Sequence, residues 1–346
     1  MSSLDKNADS SPLFRHRQLT PAGTIRVSPL CLGTMTFGGK QGGHQGGNFN
    51  DTASGYQEGE SEMIVGEWMA SRENRDEIVL ATKYTAAYMT HRKVRIPSNY
   101  GGNNAKSMKV SVDASLRKMQ TFYIDLLYVH WWDYTTSIPE LMHALNDLVV
   151  AGKVIYLGIS DTPAWVVTKA NQYARDHGLR QFSVYQGMWN AEMRDFERDV
   201  IPMARDERMA LCPYGVLNQG RFQAREGFQE RETHNPGRKF IPTSDHDRKV
   251  SAVLERISHA RGVKLLDVAL AYGSIASLSL ALTEDEVEEV ERAYPFVFGF
   301  PYTFLSGSMF DRSTPRMADK PGDVWLTKPL GKFDWVEPPK PIKPSP

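Results

Sequence analysis

The sequence predicts an α/β fold in which short parallel strands alternate with helices. Three observations carry this. Short apolar runs recur along the chain, among them Ile78–Tyr84, Val154–Ser160 and Phe182–Trp189. Between them lie segments whose apolar residues fall three and four apart, the period of a helix with one buried face. And three successive runs end in an ionisable side chain: Asp51, Lys83 and His130. In a parallel (β/α)8 barrel such strand ends gather on one face, where barrels carry their chemistry. Alternation by itself fits an open sheet as well as a closed barrel.

Taken in order, residues 1–16 read as a disordered lead. Leu19 to Val27 carry a Pro-Ala-Gly turn and form a small hairpin. Leu30–Phe37 is the first strand of the alternation. Gly38 to Asn48 holds six glycines and no apolar residue, so it cannot be a crossover helix, since glycine costs roughly 1 kcal/mol per helical position. Helices are expected over 60–71, 106–119, 138–151, 163–177, 196–209 and 249–260, with another beginning at Leu265. Strands are expected over 78–84, 125–130, 154–160, 182–189 and 210–217. Val154–Ser160 is almost continuously apolar, as suits a strand buried on both faces. Residues 90–104 and 218–248 are polar loops, the second long enough to suggest a functional role or disorder. Thr283 and Glu286 form a capping box for a last helix over 284–293. The tail from Pro338 is proline-rich.

Composition excludes several classes. The 346 residues are 41% hydrophobic and 24% charged, with zero formal net charge, so nothing points to nucleic acid or an anionic membrane surface. No run approaches the ~18 apolar residues of a membrane span. The polar start lacks the apolar core of a secretory signal. Cys31 and Cys212 cannot build a disulfide framework and are expected to be buried, reduced thiols. No metal-ligand spacing is present. A soluble cytoplasmic protein is the expectation.

The strand-end residues suggest a proton donor. A free phenol has a pKa of about 10, and an ammonium such as Lys83 beside Tyr56 is expected to lower it toward neutral pH. Asp51 would hold the lysine, and His130 would hydrogen-bond a carbonyl oxygen. Hydride must come from a cofactor, since no side chain donates one.

The stretches FNDTASGYQEGESE, LATKYT, DLLYVHWWD, GKVIYLGISDTPAW and VYQGMWN carry a resemblance to the aldo-keto reductase family, in particular its fungal aryl-alcohol dehydrogenase and norsolorinic acid reductase branch. The likeness runs from about residue 18 to 310 and implies one (β/α)8 barrel over 17–310, with residues 311–346 as a C-terminal extension. It implies a catalytic tetrad of Asp51, Tyr56, Lys83 and His130, and a hairpin that plugs the barrel floor. It implies NADP(H) as cofactor, with Ser160, Asp161 and Gln186 on the nicotinamide carboxamide, Tyr214 stacked on the ring, and Gly215, Leu217, Gly220 and Arg221 in the loop over the pyrophosphate. A competing role for Asp161 is a helix N-cap ahead of Pro163, and for Arg221 a solvated charge. Trp131 and Trp132 suit a pocket wall or the core.

Two departures stand out. The family has an amphipathic helix where Gly38–Asn48 stands. It also has an eighth strand and a Gly-Gly-Arg/Lys turn within the span of residues 271–284, which hold the cofactor's 2′-phosphate. No Lys or Arg occurs from Leu265 to Glu291. The resemblance thus implies an incomplete barrel that interconverts a carbonyl and an alcohol on a small aromatic or polyketide-derived molecule, as in fungal secondary metabolism. The alternatives are a truncated, weakly active or inactive barrel that acts as a binding protein, or two gaps that belong to the gene model.

Overall fold

The computed structural model describes residues 13, 15–35, 47–89, 91–92, 94–228, 242–273, 280–311, 317–318 and 323–330. Most of the expected lead, most of the Gly-rich segment, the middle of the 218–248 loop, part of the 271–284 departure and the Pro-rich tail lie outside the described residues. The chain divides into two compact units, residues 1–186 with 206–212, and residues 187–205 with 213–346.

A hairpin of β1 (Arg17–Thr20) and β2 (Gly23–Val27) opens the fold. A seven-stranded sheet follows in strict chain order: β3 (Cys31–Gly33), β4 (Phe49–Asp51), β5 (Val79–Tyr84), β6 (Ile124–Val129), β7 (Val154–Ser160), β8 (Phe182–Met188) and β9 (Ala210–Tyr214). The strands are parallel, and with helices between them they make an incomplete (β/α)8 fold. Register aligns the ends that matter. Asp51 pairs with Ala81, Lys83 with Tyr128, and Ser160 with Gln186.

β5 and β6 are buried along their whole length, which is why their sequences lack a polar face. The N-terminal parts of the strands close on the hairpin. Val27, Phe49, Val79, Ala81, Leu126, Tyr128 and Val184 form one apolar cluster, with Leu19 and Ile25 packed against it. Full burial of one such side chain contributes about 1.5–3 kcal/mol. The hairpin is also tied by Thr20 Oγ1, which donates to the Arg208 carbonyl at 2.6 Å.

The first helix of this unit is α1 (Glu60–Arg72), and the next two start where a side chain caps them. Asn104 opens α2 (Ala105–Lys118) by accepting from Ser107 N at 2.9 Å. Ser137 opens α3 (Ile138–Val150), with Pro139 in its first turn. α4 (Ala164–Asp176) corrects one expectation. Its N-cap is Pro163 rather than Asp161, which sits at φ 40. The helix expected over 196–209 is also shorter. A 3-10 turn at Asp195–Glu197 gives way to α5 (Val200–Asp206). A continuous helix would put Pro202 in its interior, where the ring clashes with the carbonyl of Arg198.

The second unit is built on α6 (Asp245–Arg261), α7 (Leu265–Gly273) and α8 (Glu284–Ala293). Val250, Leu254, Ile257, Val268, Tyr272 and Val290 form its core. The expected Thr283–Glu286 capping box is present, and a second one, Ser244–Asp247, opens α6.

The expectation of two buried thiols fails at Cys31, which is exposed, while Cys212 is half-buried. β3 is a sheet edge three residues long, and its residues are exposed or half-buried. Among the described residues, no helix is long and apolar enough to cross a membrane.

A close backbone contact in the first unit yields a test. A Cβ on Gly66 of α1 would stand 2.5 Å from the Lys118 carbonyl oxygen and 2.7 Å from Met119 backbone atoms, at the end of α2. Backbone cannot step aside as a side chain can. Gly66→Ala is expected to lower stability by about 1–3 kcal/mol, seen as a lower urea midpoint at unchanged slope.

Candidate active site

The site grows from the end of β4. Past Asp51 the backbone continues to pair with β5. Thr52 N donates to Ala81 O at 2.9 Å and Ser54 N to Lys83 O at 3.0 Å. A short turn, Tyr56 N to Ala53 O at 3.1 Å, then brings Tyr56 back to Lys83. The Lys83 ammonium lies 5.2 Å from the Tyr56 ring centroid. It forms an ion pair with Asp51 Oδ1 and donates to Thr52 O at 2.9 Å. The lysine is 1% exposed. The other oxygen of Asp51 accepts from Gln186 Nε2 at 3.0 Å.

His130 follows β6. Its backbone N–H reaches Tyr84 O at 3.2 Å and Thr85 Oγ1 at 3.3 Å. Its ring meets Tyr56 edge-on, with centroids 5.7 Å apart. Asp51, Tyr56, Lys83 and His130 are therefore brought together, as expected. Ser160, Asp161 and Gln186 belong to the same unit. Among the described residues, Ser160 Oγ and His130 Nδ1 are buried without a hydrogen-bond partner. Two orphaned polar atoms at strand ends suit a polar ligand, because leaving such groups unmade costs about 1–3 kcal/mol each. Asp161 N donates to Gln186 O at 3.1 Å. The Gln186 amide nitrogen is engaged on Asp51, a contact that sequence did not suggest.

Tyr214, Gly215, Leu217, Gly220 and Arg221 belong to the second unit. Tyr214 ends β9 and is exposed. Gly215 sits at φ 66 and its carbonyl accepts from Asn218 N at 2.7 Å and Asn190 Nδ2 at 2.9 Å. Leu217 precedes a 3-10 turn that ends at Gly220. Arg221 is not a solvated charge. It is 4% exposed, bonds to Asn218 Oδ1, and donates from Nε to Asp247 Oδ1 at 3.3 Å. A guanidinium this deep needs such partners to offset lost hydration.

The electrostatics correct one expectation. Burial pushes the Tyr56 pKa up. The Lys83 ammonium opposes this and Asp51 adds to it, so the net direction is upward rather than toward neutrality. The phenol stays protonated at neutral pH. For Lys83, burial pulls downward, but Asp51 and then Tyr56 raise its pKa overall. His130 is lowered to about 3, by burial first and by Lys83 second, so its ring is neutral.

Several residues of the site were not singled out from sequence. Thr52 lends its carbonyl to Lys83. Lys118 donates to Ser54 O at 3.2 Å and pairs with the fully buried Glu62, which accepts from Thr82 Oγ1 at 2.6 Å. Glu62 lay two residues into an expected helix, and an acid within a buried run was the available signal. A cavity of about 390 Å³ beside Met69, Asn74, Arg75 and Gln120 precedes β5, at the end opposite to Lys83, and has no part in this constellation.

Two tests follow from the geometry. Lys83→Met leaves a buried Asp51 carboxylate without its cation and is expected to cost about 3–5 kcal/mol. Adding Asp51→Asn should recover part of that loss, and a denaturation double-mutant cycle that comes out additive would refute the coupling. His130 has its pKa lowered from 6.5 to about 3, so protonation favours the unfolded chain. Its contribution to stability is complete above pH 6.5 and fades as pH falls toward 3, at up to about 1.4 kcal/mol per pH unit. His130→Gln should show a correspondingly shallower acid loss.

Comparison with known proteins bears on the family. Residues 29–275 match the model of the aldo/keto reductase family. The chain is 59% identical over 380 residues to norsolorinic acid reductase B of Dothistroma septosporum, covering 99% of this chain and 97% of that protein. It is 59% identical over 379 residues to norsolorinic acid reductase B of Aspergillus parasiticus, with 97% and 99% covered. An aryl-alcohol dehydrogenase of Pestalotiopsis microspora is 42% identical over 383 residues, with 99% and 97% covered. The Dothistroma alignment spans 380 positions against the 346 residues of this chain, so the difference of 34 positions, at least, falls opposite gaps here. On the family match and these identities, the chain belongs to the aldo/keto reductase family.

Proposed function

We propose that the chain is a nicotinamide-dinucleotide-dependent oxidoreductase that interconverts a carbonyl and an alcohol on an aromatic or polyketide-derived substrate. The observation that supports this best is a half-buried, protonated Tyr56 held between the Lys83 ammonium and a neutral His130. A bound reduced nicotinamide supplies the hydride. The phenol of Tyr56 gives its proton to the carbonyl oxygen. Lys83 stabilises the phenolate that results, and Asp51 and the Thr52 carbonyl keep Lys83 in place. The neutral imidazole of His130 donates to the carbonyl oxygen and orients it. A general acid placed this way contributes typically 10²–10⁴-fold.

Ser160, Asp161 and Gln186 are proposed to hold the carboxamide, and Tyr214, Gly215, Leu217, Gly220 and Arg221 to serve the rest of the cofactor. NADP(H) is the form that the family resemblance favours. The described residues of α8 do not fit a 2′-phosphate. Glu284, Asp285 and Glu286 fill its first turn, Glu286 closes on Thr283 N at 2.7 Å, and Arg261 is held by Glu286 at 2.6 and 2.7 Å. Anthraquinone ketones of the norsolorinic acid kind are the proposed substrates, since the reductases above carry that name, and fungal secondary metabolism in a reducing cytoplasm is the proposed setting. A second possibility, a weakly active barrel that binds a partner, is favoured by the exposed edge strand β3.

Titration of the full chain with NADPH and with NADH, followed by tryptophan fluorescence, separates these. Micromolar binding, then turnover of aromatic aldehydes or anthraquinone ketones that Tyr56→Phe lowers by about 10²–10⁴-fold, is expected. A folded sample that binds neither dinucleotide would end the oxidoreductase proposal.

A further inference from the structure

We infer that Asn103 and Asp133 are positioning residues for this site, a clasp that locks the chain after β5 to the chain after β6 and so fixes the backbone carrying His130 and Trp131. The inference rests on the role proposed above for His130. Neither residue reaches the tetrad itself through any hydrogen bond described, and both act through the backbone.

Asn103 is fully buried, and every polar group it has is used. Its backbone N–H donates to Asp133 Oδ2 at 2.7 Å, and its Oδ1 accepts from Asp133 N at 2.8 Å. Its Nδ2 donates both to Thr85 Oγ1 at 3.0 Å and to the Trp131 carbonyl at 2.9 Å. Its own carbonyl accepts from Tyr84 OH at 3.1 Å. The amide thus bridges the residue that follows β5 and the residue that follows His130. Thr85 Oγ1 in turn faces His130 N at 3.3 Å. Hydrogen bonds therefore grip His130 from both sides of its place in the chain.

Asp133 anchors the other half. It accepts from Thr135 N at 2.8 Å, Thr136 N at 3.0 Å and Thr136 Oγ1 at 3.1 Å. A carboxylate with that many donors is held in one geometry. The backbone around the clasp would not persist without it. Thr85 sits at φ 102, Gly102 at φ 85 and Tyr134 at φ 58. A β-branched residue with positive φ survives only where its surroundings over-determine it. Such strain, next to a group proposed to meet the substrate, is what a pre-organised site requires.

The groups facing the His130 ring are Lys83 and Tyr56. The clasp holds that half-buried ring in place, and breaking it lets more water in. Asn103→Ala and Asp133→Asn are made in the full chain, with circular dichroism to establish folding. Three readouts follow: dinucleotide affinity by tryptophan fluorescence, turnover of an aromatic ketone, and the titration of the His130 imidazole by NMR, assigned with His130→Gln. Expected are unchanged dinucleotide affinity, turnover lower by on the order of 10- to 100-fold, and a His130 titration that moves up from about 3 toward 6.5. Loss of the Asp133 charge alone would move it the other way, so a rise in Asp133→Asn reports solvation rather than charge. Folded variants whose His130 titrates as in the parent chain overturn the inference. A parent chain that turns over no carbonyl overturns the proposed function instead, and the His130 titration still decides the clasp. If Asn103→Ala does not fold, Asp133→Asn carries the same readouts.

Discussion

The ion pair between Lys83 and Asp51 is the constraint around which the first unit is arranged. Both groups are almost wholly out of water. Removing two charges from water costs several kcal/mol per ion, and their attraction offsets this only if the remaining donors and acceptors are also met. The fold meets them with parts supplied by separate strands. The Thr52 carbonyl completes the lysine, and the Gln186 amide completes the carboxylate. The parallel sheet in chain order makes this possible. β4 and β5 are neighbours, so Asp51 and Lys83 stand side by side, while Gln186 comes from β8, four strands beyond Asp51 in sheet order.

That same burial decides the protonation states. A lysine beside a phenol ordinarily favours phenolate. Here the loss of water around Tyr56 is the larger effect, and the phenol keeps its proton. Burial and the lysine act together on His130 and hold it neutral. One dry, cationic centre therefore produces an acid that is protonated and an imidazole that is uncharged. Proton donation to a developing alkoxide and a neutral hydrogen bond to its oxygen need that combination.

Much of this was legible in the sequence because it is written locally. Apolar runs that end in Asp51, Lys83 and His130 mark strand ends, and those strands are the ones found. The Thr283–Glu286 capping box spans four residues and forms as read. Contacts made across long separations were not legible. Asn103 and Asp133 lie thirty residues apart, and Asn103 sits in a polar, glycine-rich stretch that sequence describes only as a loop. The burial of Arg221 was not legible because its partners Asn218 and Asp247 are ordinary surface residue types. The sign of the Tyr56 shift was missed for a related reason. Sequence places a lysine near the phenol but does not reveal how much water the fold removes. The helix expected over 196–209 failed on a local signal, Pro202, that outweighs apolar periodicity.

The edge of the described sheet bears on the site through one route. In a closed eight-stranded barrel the last strand pairs with the first and the seventh. The described sheet has seven strands, so β3 is one of its two edges. β3 carries none of the tetrad, and β4 stands between it and Lys83. Yet β3 runs on to Thr34, whose N–H and hydroxyl both donate to the Asp51 carbonyl, at 2.8 and 3.0 Å. The hydroxyls of Thr34 and Thr52 then meet Ser61 at the start of α1, at 2.8 and 2.9 Å. This buried cluster fastens the edge strand to the residues just before and after Tyr56. An exposed edge is free to fray where pairing is absent, and whether fraying reaches Asp51 depends on these few hydroxyl bonds. Asp51, Tyr56, Lys83 and His130 are thus insulated from that edge by one strand and one cluster, so the edge limits how stably the site is held before it limits which residues compose it.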